Sequence, residues 1–193
     1  GPDALREQAE KFGFNNSFQI PLRAATSRFP TDLNPPETAM AAIGQFDVTA
    51  SALQMAMVGA GIGNNGTVMS PYLVAQVLGP DLAVLEQAEP SAYADAMTPT
   101  NAAALLSMME TTVTQGTASN AQIPGVRVAG KTGTAQSGTN AKAHAWFVAV
   151  APVQSPEVAV AVVLQNGGGA AEVSGNALAG PIARAVMEAV LAE

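Results

Sequence analysis

Residues 125–165 read GVRVAGKTGTAQSGTNAKAHAWFVAVAPVQSPEVAVAVVLQ, and this stretch decides the fold. It contains three strand-like runs, Val126–Thr134, Ala143–Val150 and Val158–Gln165. The segments between them are short and rich in Gly, Ser, Asn and Pro, the punctuation of strands joined by turns. Parallel neighbours need a crossover of a dozen or more residues, and neither gap has room for one. The runs therefore predict an antiparallel sheet of hairpins. Asn176–Leu191 then reads as a final helix that packs on that sheet.

Upstream, Thr98-Pro99 opens a helix with proline in its first turn, Leu105, Met108, Met109 and Val113 form its apolar stripe, and Gly116 stops it. Before that, Val68–Leu85 holds strand-like runs broken at Gly79-Pro80. An earlier helix has Thr49 as its N-cap and Leu53, Met57 and Val58 on one face, and ends at the turn Gly63-Asn64-Asn65-Gly66. Asn15–Thr38, with Pro21, Pro30, Pro35 and Pro36, reads as loop. Asp3–Phe12 reads as a short first helix with Asp3 as N-cap.

Composition narrows the function. The chain has 193 residues, 48% of them hydrophobic, enough for one domain with a sizeable core. Its net charge is −7 with only eight Lys and Arg, which argues against a nucleic-acid backbone as partner because phosphates need cations. The absence of Cys excludes disulfides and thiolate metal sites. His144 is the single histidine, so neither a Ser-His-Asp triad nor a histidine metal cluster can be built, and beside Trp146 it reads as a structural residue. The acidic residues lack metal-like spacing, and no cofactor is expected. Arg127 alternates with Val126 and Val128 and is assigned to solvent.

The segment that carries chemistry is Gly130-Lys131-Thr132-Gly133-Thr134. With Gly125 it matches the phosphate-loop pattern G-x-x-x-x-G-K-[ST] in full, which alone would indicate a nucleotide hydrolase. Its context contradicts that reading. The interval Val126-Arg127-Val128-Ala129 alternates like a strand, Gly133 and Gly138 stand where a helix must follow, and no Asp for magnesium occurs after Asp95. The other reading puts Lys131-Thr132-Gly133 on an edge strand beside an acyl-transfer site. Lysine supplies a charge for a substrate carboxylate, the threonine hydroxyl donates to the same group, and glycine lets the substrate lie against the strand. K-T-G is a signature of penicillin-binding proteins and class A β-lactamases.

The surrounding sequence resembles the class B penicillin-binding proteins over nearly its full length. The resemblance rests on Ile43-Gly44-Gln45 with Val48-Thr49 and Leu53-Gln54-Met55-Ala56, and on Gly63-Asn64-Asn65-Gly66 before Pro71. It rests also on Gly116-Thr117-Ala118, and on Gly130 to Ala135 followed by Ala145-Trp146-Phe147 and Ala151-Pro152. It implies an α+β fold of the serine transpeptidase and β-lactamase type, an antiparallel sheet flanked by helices. It implies D,D-transpeptidase activity on a peptidoglycan stem peptide ending in D-Ala-D-Ala, with β-lactams as mimics. Lys131, Thr132, Gly133 and Thr134 would bind substrate, and the Thr134 backbone N–H would form half of the oxyanion hole. The parent protein would face outward from the bacterial membrane, with cell-division or cell-wall synthesis proteins as further candidate partners.

The chain departs from the family in one respect. No serine has Lys three residues on, so the S-x-x-K nucleophile is absent, and the only S-x-N string, Ser174-Gly175-Asn176, follows the K-T-G strand and reads as an N-cap. Residues 1–193 are thus expected to be a partial penicillin-binding domain whose remaining N-terminal part supplies both elements. A β-lactamase would also need a deacylating Glu with Asn four residues later, between S-x-N and K-T-G; Glu172 and Asn176 have that spacing but come too late. The alternative is a non-catalytic interaction module on the same fold, against which the intact Lys131–Thr134 segment argues.

Overall fold

The computed structural model describes residues 1–193 except Ser137, Thr139, Asn140, Ala171 and Glu193. Helices α1 (Pro2–Lys11), α2 (Pro35–Ala41) and α3 (Ala52–Gly63) come first. Strands β1 (Thr67–Met69), β2 (Gln76–Leu78), β3 (Val84–Gln87) and β4 (Ala92–Asp95) follow, then α4 (Pro99–Thr114). The last part is β5 (Ala129–Ala135), β6 (His144–Ala151), β7 (Val158–Leu164) and α5 (Gly180–Leu191). The three final strands form the antiparallel sheet β5–β6–β7 that the hairpin spacing predicts; β1 pairs with β4 and β2 with β3, also antiparallel.

The register sorts every side chain of the central sheet onto one of two faces, since the side-chain period of a strand is two. Thr132 opposes Phe147, which opposes Val162; one residue on, Gly133 opposes Trp146, which opposes Val163. Phe147, Ala149, Ala151 and Val160 share a core with Ala183 and Met187 of α5. Val150 and Ala129, on the other face, pack with Ile62 of α3 and with Leu106 and Met109 of α4. The sheet is thus sandwiched between α5 on one side and α3 with α4 on the other.

Several local expectations shift for identifiable reasons. Pro35 and Pro36 lie inside α2, not in loop: proline suits the first helical turn, where an N–H has no partner, and Asn34 with Glu37 completes a capping box. Ser51, not Thr49, caps α3 by accepting from the Gln54 N–H, while Thr49 bridges in extended form to Arg28. Gly1 precedes α1, and Asp3 lies within its first turn, where its charge suits the helix dipole. In α4, Thr98 caps as expected, but the buried stripe is Ala102, Leu106, Met109 and Val113, and Met108 is exposed. The strand foreseen from Val126 begins at Ala129, because Val126 folds back to bridge Ile123. The final helix starts as a wider π-type turn, Gly175–Ala179, capped by Ser174 as the sequence predicts.

Met187 is fully buried in the core between α5 and the sheet. Met187→Ala should cost about 2–5 kcal/mol of unfolding free energy, the range for deleting a buried Met side chain, read as a lowered urea midpoint with unchanged slope.

Candidate active site

The site is built on the outer edge of β5, the side facing away from β6. In an antiparallel strand, alternate residues turn both N–H and C=O toward the same neighbour. The Gly130 carbonyl accepts from the Thr112 hydroxyl and the Thr132 carbonyl accepts from the Lys131 ammonium at 2.6 Å, so both residues face outward. Arg127, of the opposite parity, accepts from the Val153 N–H on the β6 side. Thr134 has the parity of Gly130 and Thr132, and its N–H and C=O point to the outer edge as well.

Helix α4 covers only the beginning of that edge. Leu106 and Met109 join the core on one face with Ala129, whereas Val113 joins the other with Val128 and Phe147, so the helix passes across the edge of the strand. Its cover ends at Gly130. From Lys131 onward the edge is open: Lys131 and Thr134 are exposed, and Thr132 and Gly133 are half-buried. Strand parity puts Lys131 on the α3/α4 face and Thr132 with Thr134 on the α5 face. The Lys131 side chain nevertheless bends to the edge, which brings its ammonium beside the Thr132 backbone. Gly133 is bare on the face it shares with Trp146, whose Cβ would stand 3.0 Å from an added Gly133 Cβ.

The opposite face of this strand segment is braced. Gly175 rests on the Gly133–Trp146 pair: a Cβ there would collide with the Trp146 carbonyl and approach the Gly133 oxygen to 2.8 Å. Asn176 accepts from the Asn120 N–H at 2.9 Å, its carbonyl accepts from the Asn120 side chain at 3.1 Å, and its amide donates to the Ser119 hydroxyl at 3.2 Å. The Thr117 hydroxyl lies 3.3 Å from that of Thr132. Thr112 and Asn120 carry no motif signal in the sequence, and the S-x-N string that holds Asn176 does not point to its partners Ser119 and Asn120, which are distant in the chain.

Arg127 is not simply solvated. It makes a paired salt bridge to Glu110 of α4, Nε to Oε1 and Nη2 to Oε2, both 2.7 Å, which fixes α4 to the entrance of β5. This bond to Arg127 holds the Glu110 carboxyl below its ordinary value and raises Arg127. His144 accepts at Nδ1 from the Asn166 N–H at 2.9 Å, a structural role as expected. Beyond Thr134, a cleft of about 460 Å³ lies between Gln136, Gly138, Ala141 and Ala143 on one side and Gln45 and Phe46 on the other. Phe46 holds a left-handed backbone, φ 61°, where a bulky residue is an outlier.

The phosphate-loop alternative fails here. Lys131 sits within a paired strand that continues to Ala135, so no helix N-terminus stands directly after it to receive a phosphate. Among the described residues, no group of three or more His, Cys, Asp or Glu could hold a metal ion.

The comparisons agree with this architecture. The family model for the penicillin-binding protein transpeptidase domain matches residues 1–188. The chain belongs to that family. Within it, the chain is similar to the peptidoglycan D,D-transpeptidase PbpA of Mycolicibacterium smegmatis, 42% identical over 197 residues, covering 100% of this chain and 40% of the relative. PbpA of Mycobacterium tuberculosis H37Rv is 41% identical over 195 residues, covering 99% of this chain and 40% of the relative. The ceftriaxone acyl-enzyme complex of M. tuberculosis penicillin-binding protein A superposes with a TM-score of 0.92 at 41% identity, over 98% of this chain and 43% of that one. The chain thus spans about 40% of the length of the curated relatives it matches.

The Glu110–Arg127 pair makes a signed prediction. A carboxyl held below its unfolded value contributes stability above that value and loses it as pH falls through the folded one. Glu110→Gln should therefore lower the melting temperature at neutral pH, and the difference from the parent should close as pH falls below 4.5, in melts recorded across pH.

Proposed function

We propose that this chain supplies the substrate-binding strand of a peptidoglycan D,D-transpeptidase, and that residues 1–193 are the C-terminal part of its catalytic domain. The observation that carries the reading is the open edge of β5, where the Lys131 ammonium and the outward Thr134 N–H stand three strand positions apart with the Thr132 hydroxyl between them. The Lys131 ammonium and the Thr132 hydroxyl take the carboxylate of a stem peptide ending in D-Ala-D-Ala, or that of a β-lactam. Gly133 leaves room for the ligand to lie along the strand. The outward N–H of Thr134 then meets the scissile carbonyl and stabilises the oxyanion formed on attack. Acyl-enzyme complexes of M. tuberculosis penicillin-binding protein A with ceftriaxone, imipenem and penicillin G support an acyl-enzyme route for the parent protein of this chain.

The nucleophile is assigned to an S-x-x-K element upstream of this chain, as no serine here has Lys at the required spacing. Its hydroxyl attacks the penultimate D-Ala carbonyl, the terminal D-Ala leaves, and an amine of a second stem peptide attacks the ester. The upstream part of the same domain is accordingly the first partner of this chain. Cross-linking of peptidoglycan takes place outside the cytoplasmic membrane, so the parent protein is assigned to its outer face. Among the described residues no helix is long and apolar enough to cross a membrane.

Two outcomes test this reading. The 193-residue chain alone should form no covalent adduct with a fluorescent penicillin, and an adduct on any of its serines in intact-mass spectra would contradict the assignment of the nucleophile. In the complete domain, Lys131→Ala removes a charge-assisted hydrogen bond of roughly 1.5–3 kcal/mol, so second-order acylation should slow by about 10- to 200-fold with little change in melting. Unchanged acylation in a folded Lys131→Ala protein would sink the site.

A further inference from the structure

We propose that Thr117 is a positioning residue for the substrate-binding strand: its hydroxyl donates to the Thr132 hydroxyl and so aims the Thr132 proton at the ligand carboxylate. The inference rests on the reading of Thr132 as a carboxylate ligand. A threonine hydroxyl has one proton to give and two lone pairs to accept with. If Thr132 is to donate outward, its proton must not turn back toward a protein acceptor. A neighbouring hydroxyl that donates into one lone pair enforces that choice and, by polarising the acceptor, strengthens its outward bond. Thr117 stands in that position, 3.3 Å from the Thr132 oxygen. The separation is long for two hydroxyls, as hydrogen bonds of ligand-free sites often are before substrate tightens them.

The backbone around Thr117 is clamped on both sides, which makes the placement more than a surface coincidence. On one side, the Thr112 carbonyl accepts from the N–H groups of both Gly116 and Ala118, at 3.2 and 2.9 Å. The hydroxyl of the same Thr112 meets the Gly130 carbonyl, so the turn hangs from the residue that closes the covered half of the β5 edge. Ala118, next to Thr117, is fully buried. On the other side, Ser119 and Asn120 are tied to Asn176 by three hydrogen bonds, and Asn176 adjoins Gly175, which rests on the Gly133 backbone. Thr117 itself is exposed, so nothing in core packing accounts for its side chain.

The test uses the complete parent protein, a carboxylate-bearing penicillin, and four variants: Thr117→Val, Thr117→Ser, Thr132→Val and the Thr117→Val/Thr132→Val double. Loss of one neutral hydrogen bond should slow acylation in Thr117→Val by about 2- to 10-fold, while Thr117→Ser, which keeps the hydroxyl, stays near the parent rate. In the Thr132→Val background, Thr117→Val should cause no further loss, because its effect passes through the Thr132 hydroxyl. A merely structural role would slow both backgrounds equally, and that result overturns the proposal. So does a parent-like rate in Thr117→Val when Thr132→Val is slow; the carboxylate site then stands and only the role of Thr117 falls. A parent-like rate in Thr132→Val removes the reading of the site itself, and this inference with it.

Discussion

The hydrogen bond from the Thr112 hydroxyl to the Gly130 carbonyl marks the point on which the rest of the site depends. An uncovered strand edge offers unpaired N–H and C=O groups to any passing chain, and proteins cover or guard such edges. Here α4 covers β5 as far as Gly130 and then ends, with its last turn tied to the strand by that bond and Glu110, two residues earlier, tied to Arg127 just ahead of the strand. The four residues after Gly130 keep an open edge on an otherwise rigid strand. Such an edge can pair with an extended peptide by main-chain hydrogen bonds while the strand beneath it holds its position. The placement of Lys131, Thr132 and Thr134 follows from where the helix stops.

Rigidity comes from the core packed beneath the strand on its α5 face. Phe147 is fully buried opposite Thr132, and the α5 core beneath it leaves the sheet little freedom. At the next position Gly133 has no side chain and Trp146 turns its own to the other face, which leaves bare backbone on the α5 side, and Gly175 fills it. A larger residue at 175 would push on the Gly133 backbone and so displace the neighbouring Thr134 N–H. The turn at Ser174–Asn176 therefore does two things: it starts the last helix, and it seats the strand.

The sheet was legible because its strands are close in sequence, and turn spacing alone implies antiparallel pairing. The Lys131–Thr134 segment was legible because a short motif carries its own chemistry. What the sequence did not disclose depends on partners far apart in the chain. Arg127 reads as a solvent residue until Glu110 is placed beside it, and Asn176 reads as part of a cap until Asn120 is found against it. Local signals also competed: two prolines suggested loop at 35–36, yet a capping box at Asn34 made them the first turn of a helix. Met108 and Leu106 are both apolar, and only the direction from which α4 meets β5 decides which one is buried.

The central claim is that the outer edge of β5 is free in the unliganded protein and occupied when substrate mimic binds. Residue-resolved amide hydrogen exchange on the complete parent protein, free and acylated by a penicillin, measures it directly. The account predicts slow exchange at Gly133 in both states, since its N–H pairs with β6, and fast exchange at Thr134 that slows markedly on acylation. A Thr134 amide already protected in the free protein, or unchanged by acylation, would contradict the account.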